Sequence, residues 1–154
     1  MSISIGPALH PAHAICELRN RRRDSILTEL ARHAHVLGAA HEPDLLHATL
    51  CLRERLGSTA AVRGVAFPNA RSLLVLRPLM LVGRSRRGVD WDAPDGEPVR
   101  LVVLVLSPAD TALSRHLGAI AHALAVLRPA RVRQRLLEAE VPPEIAGLLH
   151  GAWS

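Results

Sequence analysis

The eight residues "RLVVLVLS", positions 100–107, decide the fold of this 154-residue chain. They contain an unbroken apolar run, 101–106, so both faces of the segment are hydrophobic. A strand with two apolar faces is typical of the centre of a sheet that is covered by helices on both sides. The run is far shorter than the roughly 20 apolar residues that a membrane-spanning helix needs. It therefore predicts a central β-strand in a layered α/β domain.

Two amphipathic helices are predicted upstream, after a short first strand at 13–18. Asp24 is expected to cap the first helix, which ends at Gly38. The second helix covers 42–57, with Pro43 in its first turn. Its apolar stripe is formed by Leu45, Leu46, Leu50 and Leu56.

Between these helices and the central strand, the sequence predicts two more strands and a loop. The first strand is short, at 64–67, and the second covers 72–83. Pro78 cannot donate to a ladder, so an edge or a bulge is expected there. A loop at 84–99 then contains a turn at Asp95-Gly96.

Three helical segments follow the central strand, at 110–127, 129–139 and 143–152. This order of elements predicts a three-layer α/β/α domain in which helices flank a mixed central sheet of about four to five strands. We expect residues 1–154 to form a single domain, with 1–12 as an irregular N-terminal segment.

Arginine supplies all 19 basic residues, and 14 acidic residues leave a net charge of +5. Such a surface can bind nucleic acid, acidic proteins or anionic lipid. Aromatic residues make up only 2% of the chain, so no stacking platform for single strands is expected. Nucleic-acid binding is therefore an alternative only, drawing on two arginine clusters. The clusters are Arg21, Arg22 and Arg23, and Arg128, Arg131, Arg133 and Arg135.

Neither a disulfide nor a metal site is expected. Cys16 and Cys51 form no C-x-x-C pair and are predicted to be free, buried thiols. Two histidine pairs lack a carboxylate or cysteine at suitable spacing, so no metal is predicted. The pairs are His10 with His13 and His33 with His35. No nucleotide-type phosphate loop and no signal peptide is visible, so we expect a cytoplasmic protein without a cofactor.

Three motifs in register resemble one protein family. They are "LRERLGST…GVAFPNARS", "GRSRRGVDWDAPDGEPVRLVVLVLSPAD" and "SRHLGAIAHAL". Together they are similar to the enzyme IIA domain of the fructose, mannitol and nitrogen-regulatory type in the bacterial phosphotransferase system. The resemblance implies that a histidine-containing phosphocarrier protein supplies a phosphoryl group. Sugar-type members pass this group to a IIB domain, whereas nitrogen-type members regulate partner proteins according to their phosphorylation state.

The central departure from the family is Asn69, in "GVAFPNARS". The family's phosphoryl acceptor is a histidine directly after a proline, and here Pro68 precedes Asn69. A neutral imidazole can attack phosphorus, but the lone pair of an amide nitrogen is delocalised into its carbonyl. Asparagine still donates and accepts hydrogen bonds. The sequence therefore predicts a loop that keeps its shape without accepting a phosphoryl group.

Other positions of the family's site persist, and the resemblance assigns them to the phosphoryl pocket. His116 matches the second active-site histidine, near a helix start where backbone N–H groups favour an anion. Arg53 matches the active-site arginine, whose planar fork suits phosphoryl oxygens. Ser58 and Thr59 remain from the family's "S-T-G-I-G" pattern and are expected to contact the phosphoryl group. Arg71 is expected to add positive potential at the pocket rim.

The run "STAAVRG", 58–64, departs from the same pattern. Ala60 and Val62 stand where the family has glycines, which permit positive φ or a close backbone approach. Loss of both glycines predicts a rebuilt backbone beneath the pocket. Arg63 is expected to crowd or recharge its mouth.

The sequence thus predicts an enzyme IIA-like protein that binds partners in regulation without phosphotransfer. Expected partners are the histidine-containing phosphocarrier protein, a IIB domain or regulatory protein targets. Two alternatives stay open. One is an active phosphocarrier that uses another histidine such as His116, and the other is the basic nucleic-acid-binding protein.

Overall fold

A mixed five-stranded sheet lies between two layers of helices in the computed structural model, which describes residues 10–61 and 63–153. The strands are β1 (Ala14–Ile15), β2 (Val65–Ala66), β3 (Asn69–Ser72), β4 (Leu79–Val89) and β5 (Val99–Pro108). The helices are α1 (Arg23–Val36), α2 (Pro43–Leu56), α3 (Leu113–Leu127), α4 (Ala130–Glu138) and α5 (Pro142–Trp153). The predicted α/β architecture is confirmed.

The strand β5 has neighbours on both sides, as its apolar run predicts. The sheet order is β1-β4-β5-β2, and β3 pairs with β5 beyond β2. β4 runs antiparallel to β5, whereas β2 and β3 run parallel to it. Val65 lies opposite Leu101 and Asn69 opposite Val105. The residues that follow the break at Pro68 are thereby placed at the carboxyl end of β5.

Alternate side chains of β5 enter two separate hydrophobic cores. Val102, Leu104 and Leu106 pack in the core that contains the buried residues of α1 and α2. The alternate side chains Leu101, Val103 and Val105 pack in the other core, which contains the buried residues of α3, α4 and α5. Two apolar faces on one strand therefore hold the two helical layers together.

The predicted strand at 72–83 and the loop at 84–99 are wrong in detail. A separate strand, β3, ends at Ser72, and β4 begins only after Pro78, which cannot donate a ladder hydrogen bond. β4 then continues through the first part of the predicted loop to Val89. The turn at Asp95-Gly96 is confirmed, because Gly96 has φ +72° and its N–H donates to the carbonyl of Ala93.

The helices occur where they are expected, with local corrections. Arg22 is the N-cap of α1, so the predicted cap Asp24 lies in the first turn instead. Gly38, at φ +74°, follows the end of this helix as predicted. In α2, Leu46 and Leu50 are buried, but Leu45 and Leu56 are 55% and 82% exposed. The core-facing stripe of α2 is therefore narrower than its leucine pattern suggests.

The described residues bear on three further expectations. Cys16 and Cys51 are free but half-buried. None of the helices in this part of the chain is long and apolar enough to cross a membrane. Most of the predicted irregular segment lies outside the described residues, and 10–13 includes a short 3-10 helix at Pro11–His13. That the whole of 1–154 forms one domain stays a prediction.

Candidate functional site

Asn69, the first residue of β3, has its side-chain amide held at both ends. Its Nδ2 donates to the carbonyl oxygen of Phe67 at 2.9 Å, and its Oδ1 lies 3.1 Å from Nε2 of His116. These partners fix the orientation of the amide, because the opposite orientation would set Oδ1 against the Phe67 carbonyl oxygen. Asn69 is half-buried. The predicted pair of Asn69 and His116 is thus brought together by the fold.

His116 lies in the first turn of α3 with 3% of its surface exposed. Its Nδ1 is 2.7 Å from Oγ of Ser107, at the carboxyl end of β5. Burial, followed by the positive charge of Arg71, lowers the pKa of His116 below its ordinary value of 6.5. A neutral ring forms hydrogen bonds with both partners when the Ser107 hydroxyl donates to Nδ1 and the ring Nε2–H donates to Oδ1 of Asn69. The histidine therefore has no free ring nitrogen.

Arg71 lies two residues beyond Asn69 on β3 and is exposed. Its Nη1 donates to the carbonyl oxygens of Ala109 and Thr111 at 3.3 and 3.0 Å. These bonds fix the guanidinium to the segment that leads into α3. Its positive charge contributes to the lowered pKa of His116, and its place at the rim of a phosphoryl pocket stays a prediction.

Arg53 occupies the last turn of α2 and is also exposed. Its Nη1 donates to the carbonyl oxygen of Gly57 at 2.8 Å. A cation at this place stabilises the carboxyl end of the helix. No described hydrogen bond joins Arg53 to Asn69 or His116, so its role as a phosphoryl ligand stays a prediction.

Ser58 and Thr59 use their hydroxyl groups within the fold. Ser58 donates to the carbonyl oxygen of Trp91 at 3.0 Å. Thr59 bonds through its hydroxyl and its N–H to the carboxylate of Glu54, which is 4% exposed. The carbonyl oxygen of Thr59 accepts from Phe67 N–H at 3.0 Å. These residues therefore support the loop before Asn69, and direct contact with a phosphoryl group stays a prediction.

Sequence reasoning missed two residues that support this site, Glu54 and Ser107. Glu54 lies four residues after Leu50, so helical spacing puts it on the buried face of α2. A lone acidic residue on such a face was the signal that could have found it. Ser107 gave a weaker signal, as the polar residue that follows the apolar run of β5.

The "STAAVRG" run turns sharply just before β2. Ala60 is buried and forms an antiparallel bridge with Ala66. The left-handed positions are Arg63, at φ +67°, and Gly64, at φ +80°. A Cβ atom on Gly64 would lie 3.1 Å from the carbonyl oxygen of Pro98, so glycine fits best there. The expectation for Val62 lies outside the described residues.

No group of three or more metal-ligating side chains occurs within 10–61 and 63–153. At the carboxyl end of β5 the fold instead assembles a largely buried chain of neutral hydrogen-bonding groups, with Arg71 beside it. Such a site can hold its loop in place and present a positive rim.

Fold and motifs together define a IIA-type domain of the phosphotransferase system. The family described as "Phosphoenolpyruvate-dependent sugar phosphotransferase system, EIIA 2" matches residues 9–151. The chain belongs to this family.

Its relatives include regulatory proteins and sugar-transport components. A nitrogen regulatory protein of Bradyrhizobium diazoefficiens is 32% identical over 126 residues, covering 82% of this chain and 81% of that protein. One from Pseudomonas aeruginosa is 29% identical over 137 residues, covering 89% and 88%. The fructose-specific EIIABC component of Bacillus subtilis is 26% identical over 133 residues, covering 86% of this chain but 21% of that protein. This chain therefore spans about a fifth of the length of the latter.

Solved structures show the same architecture. Nitrogen regulatory protein IIA-Ntr from Neisseria meningitidis aligns with a TM-score of 0.84 and 25% identity, covering 92% of this chain and 96% of that chain. Escherichia coli IIA mannitol aligns with a TM-score of 0.78 and 19% identity, covering 92% and 98%. The same enzyme in complex with phosphorylated IIB mannitol gives a TM-score of 0.80 at 19% identity, covering 93% and 97%. The mannitol structures show a shared fold alone.

Proposed function

We propose that this protein is a cytoplasmic IIA-type domain that acts in regulation by binding partners and carries no phosphoryl group of its own. The observation that supports this most directly is the Asn69 amide, which is hydrogen-bonded to Phe67 on one side and to His116 on the other. An asparagine at the acceptor position keeps the loop closed against α3. It therefore preserves a docking shape without the nucleophile.

The chemistry of the site supports the same proposal. Covalent phosphoryl transfer needs a nucleophile with an accessible lone pair. The Asn69 amide nitrogen lacks one, because resonance delocalises its electrons. His116 is a poor substitute, since it is 3% exposed and its ring nitrogens already face Ser107 and Asn69. Attack through either ring nitrogen would require the hydrogen bond of that nitrogen to break and the buried ring to become accessible.

The proposed partners follow from the family and from the charge beside the site. The positive rim at Arg71 suits a protein that presents a phosphoryl group, such as the phosphocarrier protein or a IIB domain. The relatives named nitrogen regulatory protein favour a regulatory target. An Escherichia coli structure that shares this fold shows IIA mannitol with phosphorylated IIB mannitol, so the fold can accommodate such a partner.

The test is to incubate the protein with the phosphorylated histidine-containing phosphocarrier protein and to measure its intact mass. We expect no added phosphoryl group on the native chain. Asn69→His is the matched positive control, because it restores the acceptor in an otherwise unchanged pocket. Stoichiometric transfer to the native chain would contradict the proposal, and mapping of the modified residue would then show whether His116 is the acceptor. If Asn69→His also stays unmodified, the backbone around Ala60 has been altered as well.

A further inference from the structure

A second polar site lies at the amino end of β5, opposite to the end that carries Asn69. There a cavity of about 570 Å³ opens between the start of β5, the turn before β2, and α4. Its volume lies in the range of small-molecule pockets, roughly 300–1,000 Å³. We name it the amino-end cavity; its charged lining residues are Arg63, Arg100, Arg133, Asp95 and Glu97.

The guanidinium groups of the three arginines in the amino-end cavity form no ion pair with a carboxylate in the described part of the chain. Among the described residues, the ion pair that forms joins Arg23 to Asp24, at 3.7 Å, and includes none of the three. Arg133 is fixed in place, because its Nη1 donates to the carbonyl oxygens of Leu127, at 2.8 Å, and Arg128. Clustered guanidinium groups in a concave site attract an anion, and their planar forks match phosphate oxygens.

The electrostatics of Arg133 agree with this arrangement. Burial, and after it the positive charge of Arg63, lowers the pKa of Arg133. The two cations are therefore close enough to repel each other. An anion between them would relieve that repulsion, and neither guanidinium forms an ion pair with a carboxylate of the described residues.

A helix end adds a further positive element. Ala130, the first residue of α4, lines the same cavity. This nine-residue helix has no acidic residue in its first turn, and its N-cap Pro129 makes no side-chain hydrogen bond. The N–H groups at such an end favour an anion. Positive groups thus converge from a turn, a strand and a helix.

The carboxylates of the cavity indicate what else the ligand carries. Asp95 accepts the N–H of Arg63 through Oδ2 and that of Glu97 through Oδ1, at 2.8 and 3.1 Å. A carboxylate has about four lone-pair sites, so Asp95 can still accept hydrogen bonds from hydroxyl groups. A bare anion would meet only repulsion from Asp95 and Glu97. A hydroxyl-bearing anion would satisfy both kinds of side chain.

We propose that the amino-end cavity binds a phosphate ester of a hydroxylated sugar, with its phosphate toward the arginines and its hydroxyls toward Asp95 and Glu97. Sugar phosphates and nucleotides share this chemistry. The cavity shares no residue with the Asn69–His116 site, so the proposal is independent of whether the protein accepts a phosphoryl group.

Isothermal titration calorimetry at a constant ionic strength of about 0.15 M, where long-range attraction is screened, tests the proposal. The probes are ribose 5-phosphate, adenosine monophosphate and ribose. We expect at least one phosphate ester to bind and ribose to show no binding. Equal affinity for both esters would identify a sugar-phosphate site, and tighter binding of adenosine monophosphate a nucleotide site.

Variants distinguish this site from general attraction to a basic protein. Arg100→Gln and Arg63→Gln should each weaken binding about tenfold, the size expected for a lost charged hydrogen bond. Arg131→Gln is the matched control, since Arg131 is exposed on α4 and does not line the cavity. Binding of neither ester to the native protein would overturn the proposal. An equal loss of affinity in Arg131→Gln would overturn it too.

Discussion

The two ends of β5 differ in how their polar side chains are satisfied. At the carboxyl end, Ser107, His116 and Asn69 bond to one another in a largely buried chain. At the amino end, Arg63 and Arg100 are exposed beside an open cavity and form no ion pair with a described carboxylate. Buried polar groups must find partners inside the protein, whereas exposed ones keep their bonding capacity for a ligand. The polar groups at the carboxyl end therefore bond mainly to one another, whereas Arg63 and Arg100 at the amino end form no ion pair with a described carboxylate.

The largest expected effect comes from breaking the hydrogen-bonded chain of Ser107, His116 and Asn69 at the carboxyl end of β5. His116→Ala removes both ring hydrogen bonds and leaves Ser107 and Asn69 without their partner. We expect the free energy of unfolding to fall by about 2 kcal/mol. Chemical denaturation measures it, with Leu117→Ala as the control, because Leu117 is 53% exposed on the same helix. Equal losses in the two variants would show that the hydrogen-bonded chain adds nothing to stability.

A smaller effect is expected from pH. Because the pKa of His116 is lowered in the folded protein, the unfolded chain binds a proton more readily. The stability that depends on neutral His116 is therefore complete above pH 6.5 and is lost as the pH falls through the folded pKa. His13 has a lowered pKa as well and acts in the same direction.

Denaturation curves across this pH range separate the two histidines. His116→Gln should reduce the loss of stability on acidification, because glutamine does not titrate. His13→Gln measures the part that belongs to the other histidine. An unchanged pH profile in His116→Gln would contradict the assignment of a neutral, hydrogen-bonded ring.

The smallest expected effect is a gain in stability, and it concerns Arg63 in the amino-end cavity. Arg63 has φ +67°, a left-handed conformation that glycine adopts without a steric penalty. Arg63→Gly should raise the free energy of unfolding by about 0.5 kcal/mol. Arg87→Gly in β4 is the control, since glycine weakens a strand and should lower stability. A loss of stability in Arg63→Gly would mean that its guanidinium stabilises the fold as well as lining the cavity.

The sequence predicts the sheet better at its centre than at its edges. The apolar run of β5 is unambiguous, because two apolar faces require cover on both sides. Between Asn69 and Val89 the predicted strand boundaries are wrong. The leucines of 73–83 suggest one strand across Pro78, whereas β3 ends at Ser72 and β4 begins at Leu79. Leu73 is 88% exposed in a turn, so its hydrophobicity misled the prediction. Hydrophobicity alone does not fix where a strand breaks.

The sequence predicts the candidate site only at positions that match residues of the family's site. Asn69 and His116 are two such positions, and the fold places Oδ1 of Asn69 3.1 Å from Nε2 of His116. Glu54 and Ser107 lie inside the same motifs, but only their contacts with Thr59 and His116 show that they support the site. Arg53 illustrates the converse, because a motif position can be retained while its side chain bonds to its own helix end at Gly57.

The sequence by itself determined the central strand with two apolar faces, the glycine ends of α1 and α2, and the absence of a histidine at position 69. These properties depend on local patterns and residue identity, which need no knowledge of distant neighbours. Only the tertiary structure decided which polar groups pair. Asn69 and His116 are 47 residues apart, and they meet because β3 lies in register with β5 and α3 packs over its end. The open arginines of the amino-end cavity are likewise brought together by a turn, a strand and a helix that are distant in sequence.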